Sequence, residues 1–246
     1  MLSDADAAAL YDLLNPWDGG RFPSDAFYDD LVMAADAVLD VGCGTGSMLR
    51  TARETGHTGR LLGLEPDEAA LNRARRRTDI EWVAGVAAEA CWDREFGLAT
   101  MVSHAFQCLI DDAEVHASLV AIRSSLRDGG RFAFETRHPQ ARAWEAWNPS
   151  NATEVVDAAG RTLRVTHRVE SVVGDVVTLR ETTSDAQGGA VRVVREDRSR
   201  LRFLDVPVLG EFLAGAGFAI EAQYGDWQRG PVTGTSREIV TVARRI

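Results

Sequence analysis

Residues 38–46, Val-Leu-Asp-Val-Gly-Cys-Gly-Thr-Gly, set three glycines directly after an apolar run and directly before a helical one. Gly42, Gly44 and Gly46 allow a tight turn and bring bare backbone against a ligand, and the helix that follows presents unpaired N–H groups. Counted from Gly42 the pattern is GxGxG, with Ser47 where the third glycine of a dinucleotide-binding GxGxxG would stand. Asp40, at the end of the apolar run, would repel a pyrophosphate and welcome an ammonium. In LLGLEPD, the end of the next apolar run, Glu65 is placed to accept both hydroxyls of a ribose. Cys43 lacks an indicated base or metal partner and reads as a small filler rather than a nucleophile.

Further polar groups follow later apolar runs, where ligands of open α/β sheets collect. Ser103 and His104 follow the run 98–102, with Gln107 behind them. Arg137 and His138 follow the run 131–136. His104 reads either as a substrate contact and general base or as a hydrogen-bonded core histidine. Arg137 and His138 either face the same cleft or, with Pro139 next, form a loop leading into a helix. Trp144, Trp147, Tyr224 and Trp227 read as packing or as a recognition wall. His167 reads as one face of a hairpin.

These residues need elements to position them, and the chain supplies an alternation. Residues 3–15 and the stretch after Pro23 have helical signals, the latter with Phe27, Tyr28, Leu31 and Val32 at helical spacing. Strands are expected at 37–41, 60–64, 80–84, 98–102 and 131–136, and helices at 47–55, 67–77 and 111–127. Repeated βα units with short loops imply a doubly wound, mostly parallel sheet. From 152 to 204 the period becomes two, with Leu163, Val165 and Val169 alternating with polar residues. Turns are expected at Gly174-Asp175 and Gln187-Gly188-Gly189, a pattern of antiparallel hairpins. A helix at 208–216 and strands at 218–223 and 238–243 close the chain.

A formal net charge of -10 disfavours a phosphate backbone as partner. Cys43, Cys91 and Cys108 are odd in number and lack CxxC spacing, so neither a disulfide framework nor a zinc site is indicated, and reduced thiols in a cytoplasm are expected. No stretch has the roughly 18 apolar residues of a membrane span, and the first residues lack the pattern of a signal peptide.

With Asp40–Gly46, Glu65, the segment 82–107, LRDGGRFAFET at 126–136 and the late EIVTVARR, the chain resembles the class I S-adenosylmethionine-dependent methyltransferases. The resemblance implies an α/β, Rossmann-like, mostly parallel seven-stranded sheet whose last strand is antiparallel, carrying an inserted antiparallel β subdomain. It implies a helical lid at 1–36, a core at 37–151 and 205–246, and an insertion at 152–204 that roofs the substrate or makes a dimer contact. Similar insertions occur in family members that modify small amines and sugars. The implied cofactor is S-adenosylmethionine, held by Tyr28, Asp40, Gly42, Cys43, Gly44, Glu65, Pro66, Val86, Ala87 and Ser103. The acceptor, a small molecule methylated on N or O, would meet Tyr11, His104, Gln107, Arg137, Trp144 and Tyr224, with His104 and then His138 as candidate bases. A common family acid is Val86 here, and the acid usual after Phe96 is Gly97. A nicotinamide-dependent oxidoreductase and a non-catalytic cofactor-binding module are the rival readings.

Overall fold

The computed structural model describes residues 1–186 and 191–246. Two helices come first, α1 (Asp4–Leu14), capped by Ser3, and α2 (Pro23–Met33), opened by a proline in its first turn. Then β1 (Ala37–Val41), α3 (Ser47–Glu54), β2 (Arg60–Glu65), α4 (Glu68–Ala74), β3 (Glu81–Ala84), β4 (Phe96–Met101), α5 (Asp112–Ser125) and β5 (Leu126–Arg137) alternate as expected. All five residues of β1 are buried, because a central parallel strand is covered on both faces. It pairs in parallel with β2 and β4.

Two boundaries differ from the sequence-based expectation by three residues or more. Helix α4 stops at Ala74 rather than Arg77, since the amides of Arg76 and Arg77 turn back to Arg73 and Ala74 in a tight last turn. Strand β5 begins at Leu126, not Arg131. The Asp128-Gly129-Gly130 turn lies within it, and Phe96 already pairs with Leu126.

Helix α6 (Val206–Gly215) and the strands β10 (Phe218–Tyr224) and β11 (Glu238–Arg245) complete the core. The seven-stranded order is β10-β11-β5-β4-β1-β2-β3, and β11 runs antiparallel to both neighbours. One apolar layer gathers Leu39, Met101, Leu119, Phe132 and Leu209, and the opposite one Val32, Val38, Leu49, Leu61 and Val240. This sandwich holds the strand ends rigidly, and the β5–β11 register sets Arg137 opposite Glu238.

The insertion is a second sheet, β6 (Thr153–Val156), β7 (Thr162–Val173), β8 (Val176–Asp185) and β9 (Arg192–Arg202), in the order β6-β7-β8-β9. Gly174 and Asp175 make the expected two-residue turn, with Gly174 at φ +60°. The expected turn at Gln187-Gly188-Gly189 lies outside the described residues. Leu163 and Val165 are buried, as expected of the apolar face, and Leu2, Leu10 and Leu14 from the N-terminal segment cover them together with Val194. The Leu2 amide also donates to the Val194 carbonyl at 3.0 Å, and Arg195 pairs with Asp4 at 2.8 Å. Val169, expected on the same face, stays half-exposed beside an irregularity between Val169 and Ser171. At its other end α1 meets the core: the Thr45 hydroxyl donates to Asp12, which also pairs with Arg73.

Candidate active site at the carboxyl end of the sheet

After β1 the chain turns over the end of β2, with the amides of Gly42 and Cys43 both donating to the Leu64 carbonyl, at 2.7 and 3.1 Å. Gly42 and Gly44 adopt left-handed φ of +72° and +55°. A Cβ on Gly42 would meet the Ala105 Cβ at 3.1 Å, whereas one on Gly44 would have nothing within 4 Å, so bare backbone there borders open space. Asp40 is 1% exposed. Its Oδ1 accepts from the Thr100 hydroxyl at 2.9 Å, while its Oδ2 has no partner among the described residues. Burial pushes this carboxyl up to about 7, against the Thr100 hydrogen bond. An unpaired buried oxygen is costly and marks a place where a ligand donor would be stabilised.

Glu65 lies across the loop from Gly44. Its Oε2 accepts from the Gly44 amide at 2.7 Å and its Oε1 from the Asp67 amide at 2.9 Å. Burial raises its carboxyl, and the two amides oppose that. A carboxylate has about four lone-pair sites, so acceptor capacity remains. Pro66, next in the chain, and Val86, just past the end of the neighbouring strand β3, are exposed, and Ala87 is buried at the start of a short 3₁₀ turn. Cys43 is buried and its thiol is raised well above the ordinary value by burial, which suits a packing role.

A second cluster forms where β4, β5 and β11 end. Ser103 and His104 both adopt left-handed φ, +56° and +63°, a sparsely populated state for two successive non-glycine residues that clusters at functional sites. The turn aims the His104 amide at Glu135 Oε1, 2.7 Å away, and its Nε2 lies 2.9 Å from Glu238 Oε2. Nδ1 is 3.9 Å from Glu135 Oε1. The Tyr28 hydroxyl donates to the other Glu135 oxygen. Burial raises Glu135, opposed first by His104 and then by Tyr28. Tyr11 stands within hydrogen-bond reach of Ser103 and its phenol is raised by burial. Tyr11 itself remains 44% accessible.

Several expected site residues do other work. His138 is 5% exposed, and its Nδ1 accepts from the Gln140 amide at 3.1 Å as the cap of a short 3₁₀ turn. That lone pair is engaged, so the Nδ1 of His138, expected as a candidate base, is not free for a ligand proton. Gln107 is 1% exposed and committed at both ends, donating to the Arg202 carbonyl at 2.9 Å and accepting from Arg137 NH1 at 3.0 Å. It positions Arg137 instead of meeting an acceptor. Tyr28, expected to hold the cofactor, is 1% exposed and orients Glu135. Tyr224 packs on Phe27 with centroids 6.2 Å apart. Trp144 packs edge-on against Phe203 at 4.6 Å, beside an apolar cavity of about 250 Å³ lined also by Pro139, Val177 and Val208. His167 pairs with Glu181 at 3.0 Å on the hairpin, as its alternation implied. The reading of the sequence missed Glu135 and Glu238. The one signal for Glu135 was an acid directly after the apolar Phe132–Phe134 run of the strand.

Residues 38–130 match a family model described as a methyltransferase domain. Over 113 residues the chain is 32% identical to a 2-phytyl-1,4-naphtoquinone methyltransferase of Thermosynechococcus vestitus, an alignment covering 44% of this chain and 49% of that protein. The chain thus spans about half the length of this curated relative. Two solved structures superpose along almost the entire chain. One, an S-adenosylmethionine-dependent methyltransferase from Clostridium acetobutylicum, has a TM-score of 0.76 at 15% identity and covers 98% of both chains. The other, an S-adenosylmethionine-bound amino pentose methyltransferase from Micromonospora echinaspora, has a TM-score of 0.72 at 24% identity, covering 100% of this chain and 98% of that one.

Proposed function

We propose that this chain, whose residues 38–130 are a methyltransferase domain set in the fold of the class I S-adenosylmethionine-dependent methyltransferases, methylates an N or O atom of a small-molecule acceptor. The observation that carries this reading is the buried, unpartnered Asp40 Oδ2 beside the open Gly44 backbone and the Glu65 carboxylate on the adjoining strand end. An amino-acid ammonium would satisfy Asp40, and a ribose would take the free lone pairs of Glu65. A pyrophosphate would meet two carboxylates instead, which disfavours a nicotinamide dinucleotide.

S-adenosylmethionine supplies a methyl group already activated on a sulfonium. The residues of the chain then orient and exclude water. Holding a nucleophile in line at about 3–3.5 Å provides much of the acceleration. The Glu238 carboxyl lies 2.9 Å from His104 Nε2, where accepting the ring proton would fix the tautomer and leave Nδ1 to take a proton from an acceptor hydroxyl or ammonium. Tyr11 and Ser103 line the same cleft. Helix α1, which packs on the insertion, would roof it together with that sheet, and the likeness to an amino pentose methyltransferase supports an amine or hydroxyl on a sugar-sized acceptor.

Calorimetry with S-adenosylmethionine, S-adenosylhomocysteine and NADH tests the reading. Both adenosyl ligands should bind and NADH should not, and a screen of small metabolites read by mass spectrometry should then give a methylated product. Binding of NADH in place of S-adenosylhomocysteine would overturn it.

The lid has its own test. Deleting residues 1–14 removes Asp12 from Thr45 and Arg73 and uncovers Leu163 and Val165. S-adenosylhomocysteine affinity should fall by about tenfold or more, with the core still cooperatively folded. Undiminished affinity would show that α1 only caps the insertion.

A further inference from the structure

Arg137 is a cation without a counterion. It closes β5 at the cleft, opposite Glu238 in the β5–β11 register, yet it forms no ion pair among the described residues, because Glu238 is engaged by His104 and Glu135 by Tyr28 and the His104 amide. Its guanidinium is held from two sides. NH1 donates to Gln107 Oε1 at 3.0 Å, and the Trp147 ring lies under Cζ at 5.3 Å from the centroid. Gln107 in turn is buried and anchored to the Arg202 carbonyl of the insertion. Burial depresses Arg137, and the charges of Glu238 and Glu135 oppose that. Most buried guanidinium groups meet a carboxylate, since an unpaired one loses hydration without return. Here a stacked aromatic and a fully committed amide hold the fork in place, while Nε and NH2 carry no protein partner among the described residues.

We infer that Arg137 is a binding site for an anionic oxygen group, a carboxylate or a phosphoryl group, on the acceptor. The inference rests on the methyltransferase reading for the word acceptor, and on the geometry alone for the anion. A planar fork with adjacent free donors matches such groups in a bidentate manner that a lysine ammonium does not reproduce. The position also suits specificity. Arg137 and the His104 cluster share the ends of β5 and β11, so an acceptor held by its anion at Arg137 would present a neighbouring N or O near His104. The overall charge of -10 repels anions in general, which makes a local, preorganised cation necessary for such an acceptor to enter.

The arginine Nε–H resonances of the full chain, followed by NMR during titration with inorganic phosphate and separately with acetate, test the site. The titrations are run with and without saturating S-adenosylhomocysteine. The resonance that disappears in Arg137→Gln should shift saturably with at least one anion. Phosphate alone points to a phosphoryl acceptor, and acetate alone or both to a carboxylate-sized site. Arg137→Lys, which keeps the charge, should weaken the response of the remaining cleft resonances by about tenfold without unfolding the chain. A saturable shift confined to other arginines, or none for Arg137 with either anion, would overturn the inference. Absence of S-adenosylhomocysteine binding in the same samples would instead count against the methyltransferase reading and leave the anion result standing.

Discussion

In His104→Asn the rate constant of methyl transfer falls by about 10²–10⁴-fold while S-adenosylhomocysteine binds as in the parent chain. Asparagine is chosen because it tolerates the left-handed φ of +63° and keeps the amide that donates to Glu135. The change therefore removes the imidazole and little else. The expected size is that of a positioned general base, and the other histidine of this region, His138 after β5, has its Nδ1 lone pair engaged by the Gln140 amide. Glu238→Gln should give a smaller loss, because the glutamine can still hydrogen-bond Nε2 but no longer selects the tautomer by charge. Both are read as kcat in a steady-state assay, with calorimetry as the control for folding and cofactor affinity. An unchanged kcat in His104→Asn would leave transfer to proximity alone, and an equal loss of S-adenosylhomocysteine affinity would reduce His104 to a structural role.

The second large effect is expected at Asp40. Asp40→Ala removes the only group proposed for a ligand ammonium and should weaken S-adenosylhomocysteine binding by about 30-fold or more, the range for breaking a buried charge pair. Asp40→Asn, nearly isosteric, separates charge from shape through protons. With its carboxyl pushed up to about 7 by burial, Asp40 is largely protonated at pH 6, and it must ionise to pair with an ammonium. Binding should therefore release a proton, and affinity should rise from pH 5 to pH 7 and level off above. The stability of the unliganded chain takes the opposite sign. The folded state holds the Asp40 proton more tightly than the unfolded one, so this contribution falls as pH climbs from about 4 through 7. Calorimetry at pH 6 in two buffers of different ionisation enthalpy counts the protons. Equal release by the parent chain and Asp40→Asn would exclude Asp40 as the ammonium partner.

The two predictions differ in how readable their residues were. Asp40, Gly42, Gly44 and Glu65 sit in two short segments whose chemistry is local: an apolar run, a glycine turn and an acid at a strand end follow from residue types and spacing. Parallel pairing of β1 with β2 brings the two segments together by necessity, through Val41 opposite Leu64. Glu135 and Glu238 had no such local signature, because their partner is 31 and 134 residues away from them in the chain.

Residue type alone set the alternation of α and β elements, the glycine turn and the apolar face of the insertion, since each depends on neighbours within a few positions. Which polar side chains remained free for chemistry was a tertiary matter. His138 and Gln107 look as suitable as His104 and Arg137 in the sequence, yet the first pair have their hydrogen-bonding atoms consumed by the Gln140 amide and by Arg202 and Arg137. A donor or acceptor can serve a ligand only if the fold has not already paired it, and that pairing is decided by contacts between residues far apart in the chain.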